Sequence, residues 1–148
     1  MRTLHRNEQP PTWPMPGAEA SASATRSEAD STREVAEELV RLYRAERWPE
    51  VVDRLCADEV VHAEASPPFG EREVAGKSIA HERHAAWING REFHSIDVRG
   101  PYLDGENRFA VYMRFDLTEK ASGERKTLEE VGVYEVRGGK IVREDFLY

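Results

Sequence analysis

Thr127 to Tyr148 reads TLEEVGVYEVRGGKIVREDFLY. Leu128 to Val136 is rich in Val, Tyr and Glu and carries no helix-period stripe. Gly138-Gly139 supplies the backbone freedom of a tight turn, and Ile141 to Tyr148 reads as the returning strand. Register decides which side chains share a face, because the side-chain period of a strand is two. A two-residue loop pairs Arg137 with Lys140 and sets Glu130 and Glu144 on opposite faces. A three-residue loop, with Gly139 in the left-handed position of a bulged turn, pairs Val136 with Lys140. It gathers Glu130, Gly132, Tyr134, Val142, Glu144, Phe146 and Tyr148 on one face. The three-residue loop is preferred, because it collects Glu135, Arg143 and Asp145 on the outer face and leaves the aromatic face with two carboxylates.

At 148 residues the chain is long enough for one domain with its own core. A net charge of -7 and a pI of about 5.3 argue against nonspecific nucleic-acid or anionic-membrane binding. No apolar run approaches the roughly 20 residues of a membrane span. The first residues, MRTLHRNEQPPTWPMPG, lack the apolar core of a signal peptide, so a cytoplasmic protein is expected. One cysteine, Cys56, excludes an internal disulfide and a multi-cysteine zinc site; it reads as a small buried apolar residue.

Met1 to about Thr32 is rich in Pro, Ser, Ala and Glu and is expected to be a flexible tail, with Trp13 an incidental aromatic. The domain then runs over 33–148. Ser31 or Thr32 is the expected N-cap of a first helix, in which Val35, Leu39, Leu42 and Tyr43 recur at helical spacing. Pro49 holds Trp48 out of the helical region, and Glu50 to Cys56 forms a second short helix. Asp58 to Ala65 is a strand with His62 and Glu64 on one face. SPPFG is a loop, Glu73-Val74-Ala75 a short edge strand, and Gly76 to about Asn89 a third helix. Four strands follow: Glu92 to Val98, Arg108 to Thr118, Arg125 to Val136 and Ile141 to Tyr148. Phe109, Val111, Met113, Phe115 and Leu117 alternate with polar neighbours, giving one apolar face. Three helices laid across a curved antiparallel sheet make an α+β domain able to enclose a pocket.

This order, with VAEELVRLYRAERW, ADEVVHAEA, VAGKSIA, FHSIDVRGPYLDGENRFAVYMRFDLT and the closing EEVGVYEVRGGKIVREDFLY, resembles the SnoaL-like proteins of the nuclear transport factor 2-like superfamily. The resemblance spans about Val35 to Tyr148. It implies a cone-shaped domain, a pocket between sheet and helices, and a homodimer through the outer sheet face. It implies too that the strand carrying His62 and Glu64 lines the cavity. Family members include polyketide cyclases, isomerases, epoxide hydrolases, dehydratases and non-catalytic binders. No Asp-Arg-Asp or His-Asp set of the better-characterised enzymes is present, so function must be argued from the site.

The expected acid/base groups are Glu130, Glu144 and His94. A carboxyl in an apolar pocket has its charged form disfavoured, which moves its pKa toward the range useful for proton transfer. The structural alternative pairs Glu130 or Glu144 with Arg114, Arg99 or Arg83. His94 alternates with Ile96 and Val98 and is expected on the apolar side of its strand. Glu64, ahead of His62, is expected in the cavity with Trp87, Met113 and Phe146, and Tyr134 as hydroxyl donor. His81 and His84, at i, i+3, form with Glu64 a conceivable two-histidine, one-carboxylate set; their spacing is not His-Glu-x-x-His, and a solvated helix face is the expected reading, with no metal. Two functions follow. One is a cofactor-free isomerase, cyclase or dehydratase acting on a small apolar carbonyl or cyclic compound. The other is a non-catalytic ligand-binding or dimeric accessory protein.

Overall fold

The computed structural model describes residues 26–148; the expected N-terminal tail up to residue 25, Trp13 included, lies outside them. Helix α1 spans Glu28–Arg44, earlier than expected. Its N-cap is Ser27, whose hydroxyl accepts the Asp30 N–H at 3.1 Å, and Glu28 and Asp30 place negative charge at the positive end of the helix dipole. Thr32 caps nothing. It is buried inside the helix and donates its hydroxyl to the Glu28 carbonyl at 2.8 Å, so the expected boundary at residue 32 falls within α1. The inward stripe of Val35, Ala36, Leu39, Val40, Leu42 and Tyr43 is buried as its spacing predicts.

Helix α2 is Pro49–Leu55, with Val51, Val52 and Leu55 inward. Trp48 precedes it in helical geometry despite the following proline (φ -61, ψ -39). Its indole N–H donates to the Tyr43 carbonyl at 3.1 Å, and that anchor ties the two helices. Strand β1 is Cys56–Glu64, β2 is Glu73–Ala75, and helix α3 is Lys77–Asn89. Strands β3 (Arg91–Leu103), β4 (Arg108–Glu119), β5 (Arg125–Arg137) and β6 (Lys140–Leu147) complete the chain.

The six strands form one sheet in the order β2-β1-β6-β5-β4-β3. It is mixed rather than antiparallel throughout, because β1 runs parallel to β6. An α+β architecture of three helices on one open, curved sheet is nonetheless what the sequence predicts. The core lies between α1, α2 and the inner face of β4 and β5, where Phe109, Val111, Met113, Phe115 and Leu117 alternate inward.

The last hairpin corrects the expected register. Its loop has two residues, Gly138 and Gly139, both at positive φ (57° and 75°), and Arg137 pairs with Lys140. Two consecutive residues at positive φ make the mirror-image turn that suits strand twist, and glycine adopts it without strain. A bulge then restores the predicted face by another route. Val136 pairs with Ile141, but Glu135 pairs with Arg143, which leaves Val142 as the extra residue. Beyond it Tyr134 lies opposite Glu144 and Gly132 opposite Phe146. Glu130 and Glu144 therefore share the inner face, while Ile141, expected outside, is buried.

A second bulge, between Phe93 and Ser95, reverses the expectation for His94. Phe93, Ile96 and Val98 turn inward and His94 turns to solvent, where its Nε2 lies 2.7 Å from the Thr118 hydroxyl. Pro101 does not end β3; it sits in a further irregularity between Arg99 and Tyr102.

Candidate active site

Parallel pairing of β1 and β6 sets His62 directly opposite Glu144 and Glu64 opposite Phe146. His62 and Glu64, two apart, point to the same inner face, and both are buried with Glu144. His62 Nδ1 lies 2.6 Å from Glu144 Oε1, and His62 Nε2 lies 2.8 Å from Glu64 Oε1. From α3, His84 reaches the same carboxylate, its Nε2 3.0 Å from Glu144 Oε1. One buried oxygen thus faces two imidazoles. The second carboxylate oxygens of Glu64 and Glu144 are buried without a partner.

A neutral imidazole has one donor and one acceptor nitrogen, so two carboxylates on one ring require either a second proton or a protonated carboxyl. Burial opposes charge on His62, but the hydrogen bonds to Glu144 and Glu64 overrule it and lift the imidazole to about 9. Burial likewise pushes Glu144 up. The neighbouring His84 and the hydrogen bonds from both histidines prevail and hold it well below the usual carboxylate range.

Glu130 differs. It stands on β5 opposite Met113 of β4, half-buried, and accepts no hydrogen bond from any described residue. Burial, then the negative charge of Glu64, raise its carboxyl to about 8, against a smaller opposing pull from Arg91. Of the expected arginine partners, Arg114 is exposed and the other two are engaged elsewhere. Arg99 pairs with Asp97. Arg83, fully buried, donates to the carbonyls of Phe69, Glu71 and Arg72 and so pins the SPPFG loop onto α3.

The pocket between sheet and helices holds about 490 Å³ of empty space, its open mouth included. Glu64, Glu130 and His84 supply its ionisable lining, with Tyr43, Met113 and Phe146 among the rest. Trp48, Trp87, Phe93 and Phe115 form an aromatic wall, with Trp48 edge-on to Phe93 at 4.7 Å and Trp87 to Phe115 at 4.9 Å. Tyr134 is deeper than expected. Its hydroxyl lies 3.0 Å from that of Tyr43, its ring stacks on Phe109 at 4.8 Å, and burial raises both phenols well above their usual range. Tyr43, not Tyr134, lines the pocket.

Gly132 makes room for this pair. A Cβ there would meet the Tyr134 hydroxyl at 2.5 Å. Because Tyr134 is clamped between Phe109 and Tyr43, Gly132→Ala is expected to destabilise the domain by about 1–3 kcal/mol through overpacking. Chemical denaturation at one pH checks this, and an unchanged midpoint counts against the clamp.

The structure therefore brings together Glu130, Glu144, Glu64, His62, Trp87, Met113 and Phe146 around or beneath one pocket, and leaves His94 outside. The sequence reading weighed His84 and set it on a solvated face; only His81 behaves so, pairing with Asp53 at 2.6 Å. Tyr43, read only as part of the helix stripe, is the pocket residue it missed.

Comparison with known proteins agrees with this architecture. The SnoaL-like domain family matches residues 30–148, and the chain belongs to that family. It is similar to a crystal structure described as a proposed SnoaL-like polyketide cyclase from Mesorhizobium loti, with 33% identity and a TM-score of 0.72, covering 78% of this chain and 97% of that one. A proposed isomerase from Bacillus subtilis shares the fold at 15% identity and a TM-score of 0.64, covering 82% of this chain and 88% of that one. An epoxide hydrolase of the LEH-like type from M. tuberculosis shares it at 16% identity and a TM-score of 0.58, covering 82% and 81%. No protein of curated function matches the sequence. Among the described residues no helix is long and apolar enough to cross a membrane.

Proposed function

We propose that this protein is an acid/base enzyme of the isomerase, cyclase or dehydratase kind, acting on a small, largely apolar carbonyl or cyclic compound. The observation that carries this reading is Glu130: a carboxyl without a hydrogen-bond partner, lifted to about 8, on the wall of an aromatic pocket. At neutral pH it holds a proton it can give up, which suits a general acid. His84 lines the same pocket and is oriented by Glu144. With Nε2–H donated to Glu144, its Nδ1 is the lone-pair nitrogen and takes a proton from the ligand. Tyr43, backed by the Tyr134 hydroxyl, supplies a neutral O–H for a developing oxyanion. The names of the similar structures support the same class of chemistry.

The test is proton exchange in D2O with a panel of cyclic ketones and lactones, followed by NMR. Exchange that depends on the protein and disappears in a Glu130→Gln, His84→Gln double variant supports the reading. Exchange undiminished in that variant overturns it. Because Glu130 must be protonated, the rate is expected to fall about tenfold per pH unit above about 8. A flat alkaline profile removes Glu130 as the acid.

Complete burial of the Glu144–His62–Glu64 chain favours a second reading, in which these residues are structural and the pocket only holds a ligand. We carry the homodimer as part of either reading: the outer face of β5 offers Val131 and Val133, both half-buried. Light scattering should then give twice the 16.9 kDa of one chain.

A further inference from the structure

We propose that the His62, His84 and Glu144 cluster is a binding site for a divalent first-row transition-metal ion, open toward the pocket. The inference rests on geometry and not on the acid/base reading. His62, His84 and Glu144 each offer one ligand atom, all within 4.8 Å of one another, and His62 Nδ1 and His84 Nε2 are the nitrogens that face Glu144 Oε1. Two imidazoles and one carboxylate are the donors that iron, cobalt and zinc accept, and His84 carries the cluster to the pocket wall.

Three further features separate this cluster from an ordinary polar network. Glu144 Oε2 is buried and has no partner, so half of the carboxylate's acceptor capacity is unused where an ion would take it. His62 Nε2 lies 2.8 Å from Glu64 Oε1, so donation there lets Nδ1 offer its lone pair to an ion once the proton it shares with Glu144 is displaced. A carboxylate that fixes the tautomer of a ligating histidine from behind is a recurring outer partner of metal sites. The donors also come from three elements, β1, β6 and α3, and the pair on the sheet is set by cross-strand register. The arrangement is therefore held by the fold rather than by flexible loops.

Hydrogen-bond lengths of 2.6 and 3.0 Å separate Glu144 Oε1 from the two nitrogens. Metal–ligand bonds of about 2.0–2.1 Å in a tetrahedral site place ligand atoms about 3.3 Å apart. Admitting an ion thus lengthens these two oxygen–nitrogen spacings by a fraction of an ångström and draws together the ligand atoms that stand up to 4.8 Å apart. A bound ion excludes both protons that His62 Nδ1 and His84 Nε2 share with Glu144, so the metal-loaded form does not use the His84 tautomer of the acid/base reading. Beside His84, which lines the pocket, the ion would polarise an oxygen of the ligand, while Glu130 keeps its role as proton donor.

Tag-free protein, stripped with chelator and titrated with Co2+, tests this directly, with Zn2+ competition as a second readout. The expected result is one Co2+ per chain, with the visible d–d absorption of a low-coordinate nitrogen–oxygen site, bleached by Zn2+. His84→Ala should lose binding by 100-fold or more while keeping the far-UV spectrum of the wild type. Glu64→Gln should weaken it by about 10- to 100-fold as an outer partner. No stoichiometric Co2+ binding, or binding unchanged in His84→Ala, overturns the site. A protein that binds no cobalt but exchanges substrate protons loses the metal site alone. One that binds cobalt while Glu130→Gln stays fully active loses the acid/base reading alone.

Discussion

Glu144→Gln will lower the stability of the domain by about 3–5 kcal/mol, the range for breaking a buried charge pair by removing one partner. The substitution keeps size and shape, so no cavity accounts for the loss. Glu144 Oε1 accepts from His62 and from His84, and all three groups are almost wholly shielded from water. A neutral amide can place its oxygen where Oε1 stands, but it cannot balance the His62 imidazolium, and its NH2 group is buried where Oε2 has no partner. His62 is left with Glu64 as its only counter-charge. Thermal melting should fall by on the order of 10 °C, and the loss should exceed that of Glu64→Gln, which removes one contact instead of two. Replacing His62, Glu64 and Glu144 together by apolar residues of similar volume should cost less than Glu144→Gln alone, because it leaves no buried charge behind. A Glu144→Gln protein that melts with the wild type would show that the network carries no buried charge.

How much of this was legible in the sequence depends on whether the physics was local. The apolar alternation of β4 and the inward stripe of α1 were readable, since period and burial are one signal. The shared face of Glu130 and Glu144 was read correctly for a reason that did not hold: the turn is shorter than expected, and the bulge at Val142 supplies the missing step. The same kind of bulge beside Phe93 defeated the reading of His94, because one extra residue inverts every face beyond it. Neither bulge carries a glycine or proline to announce it. His84 was hidden differently. Its partner Glu144 is 60 residues away, and the two meet only because β6 returns beside β1 in parallel, a pairing the hairpin order does not imply. Arg83 was one of three arginines set against the carboxylates in the structural alternative; here a tight loop offers it carbonyls instead.

Glu130→Gln should move activity and stability in opposite directions. As the proton donor, Glu130 contributes roughly 10²–10⁴-fold to the rate, the usual worth of a positioned general acid, and the amide cannot supply that proton. The fold meanwhile tolerates Glu130 at a cost. Its folded carboxyl titrates near 8 against an ordinary 4.5, so the folded state holds a proton that the unfolded chain releases between those values. Stability from this group therefore declines as pH rises from about 4.5 through about 8. A tenfold difference in proton affinity is worth about 1.4 kcal/mol. Removing the titration should thus stabilise the protein by up to about 5 kcal/mol at pH 8 and by little at pH 4.5. Denaturation midpoints of both proteins at these two pH values, set beside their exchange rates, make the measurement. A structural Glu130, held by a partner in the fold, would give the reverse: activity or ligand binding largely kept and stability lost at neutral pH. The two carboxylates on one face are separated by the same experiment. Gln at 144 is a loss to the fold from above the acid range up to about pH 9, where His62 gives up its charge, whereas Gln at 130 is a gain, because one carboxylate has found its partners and the other is kept without one for the ligand.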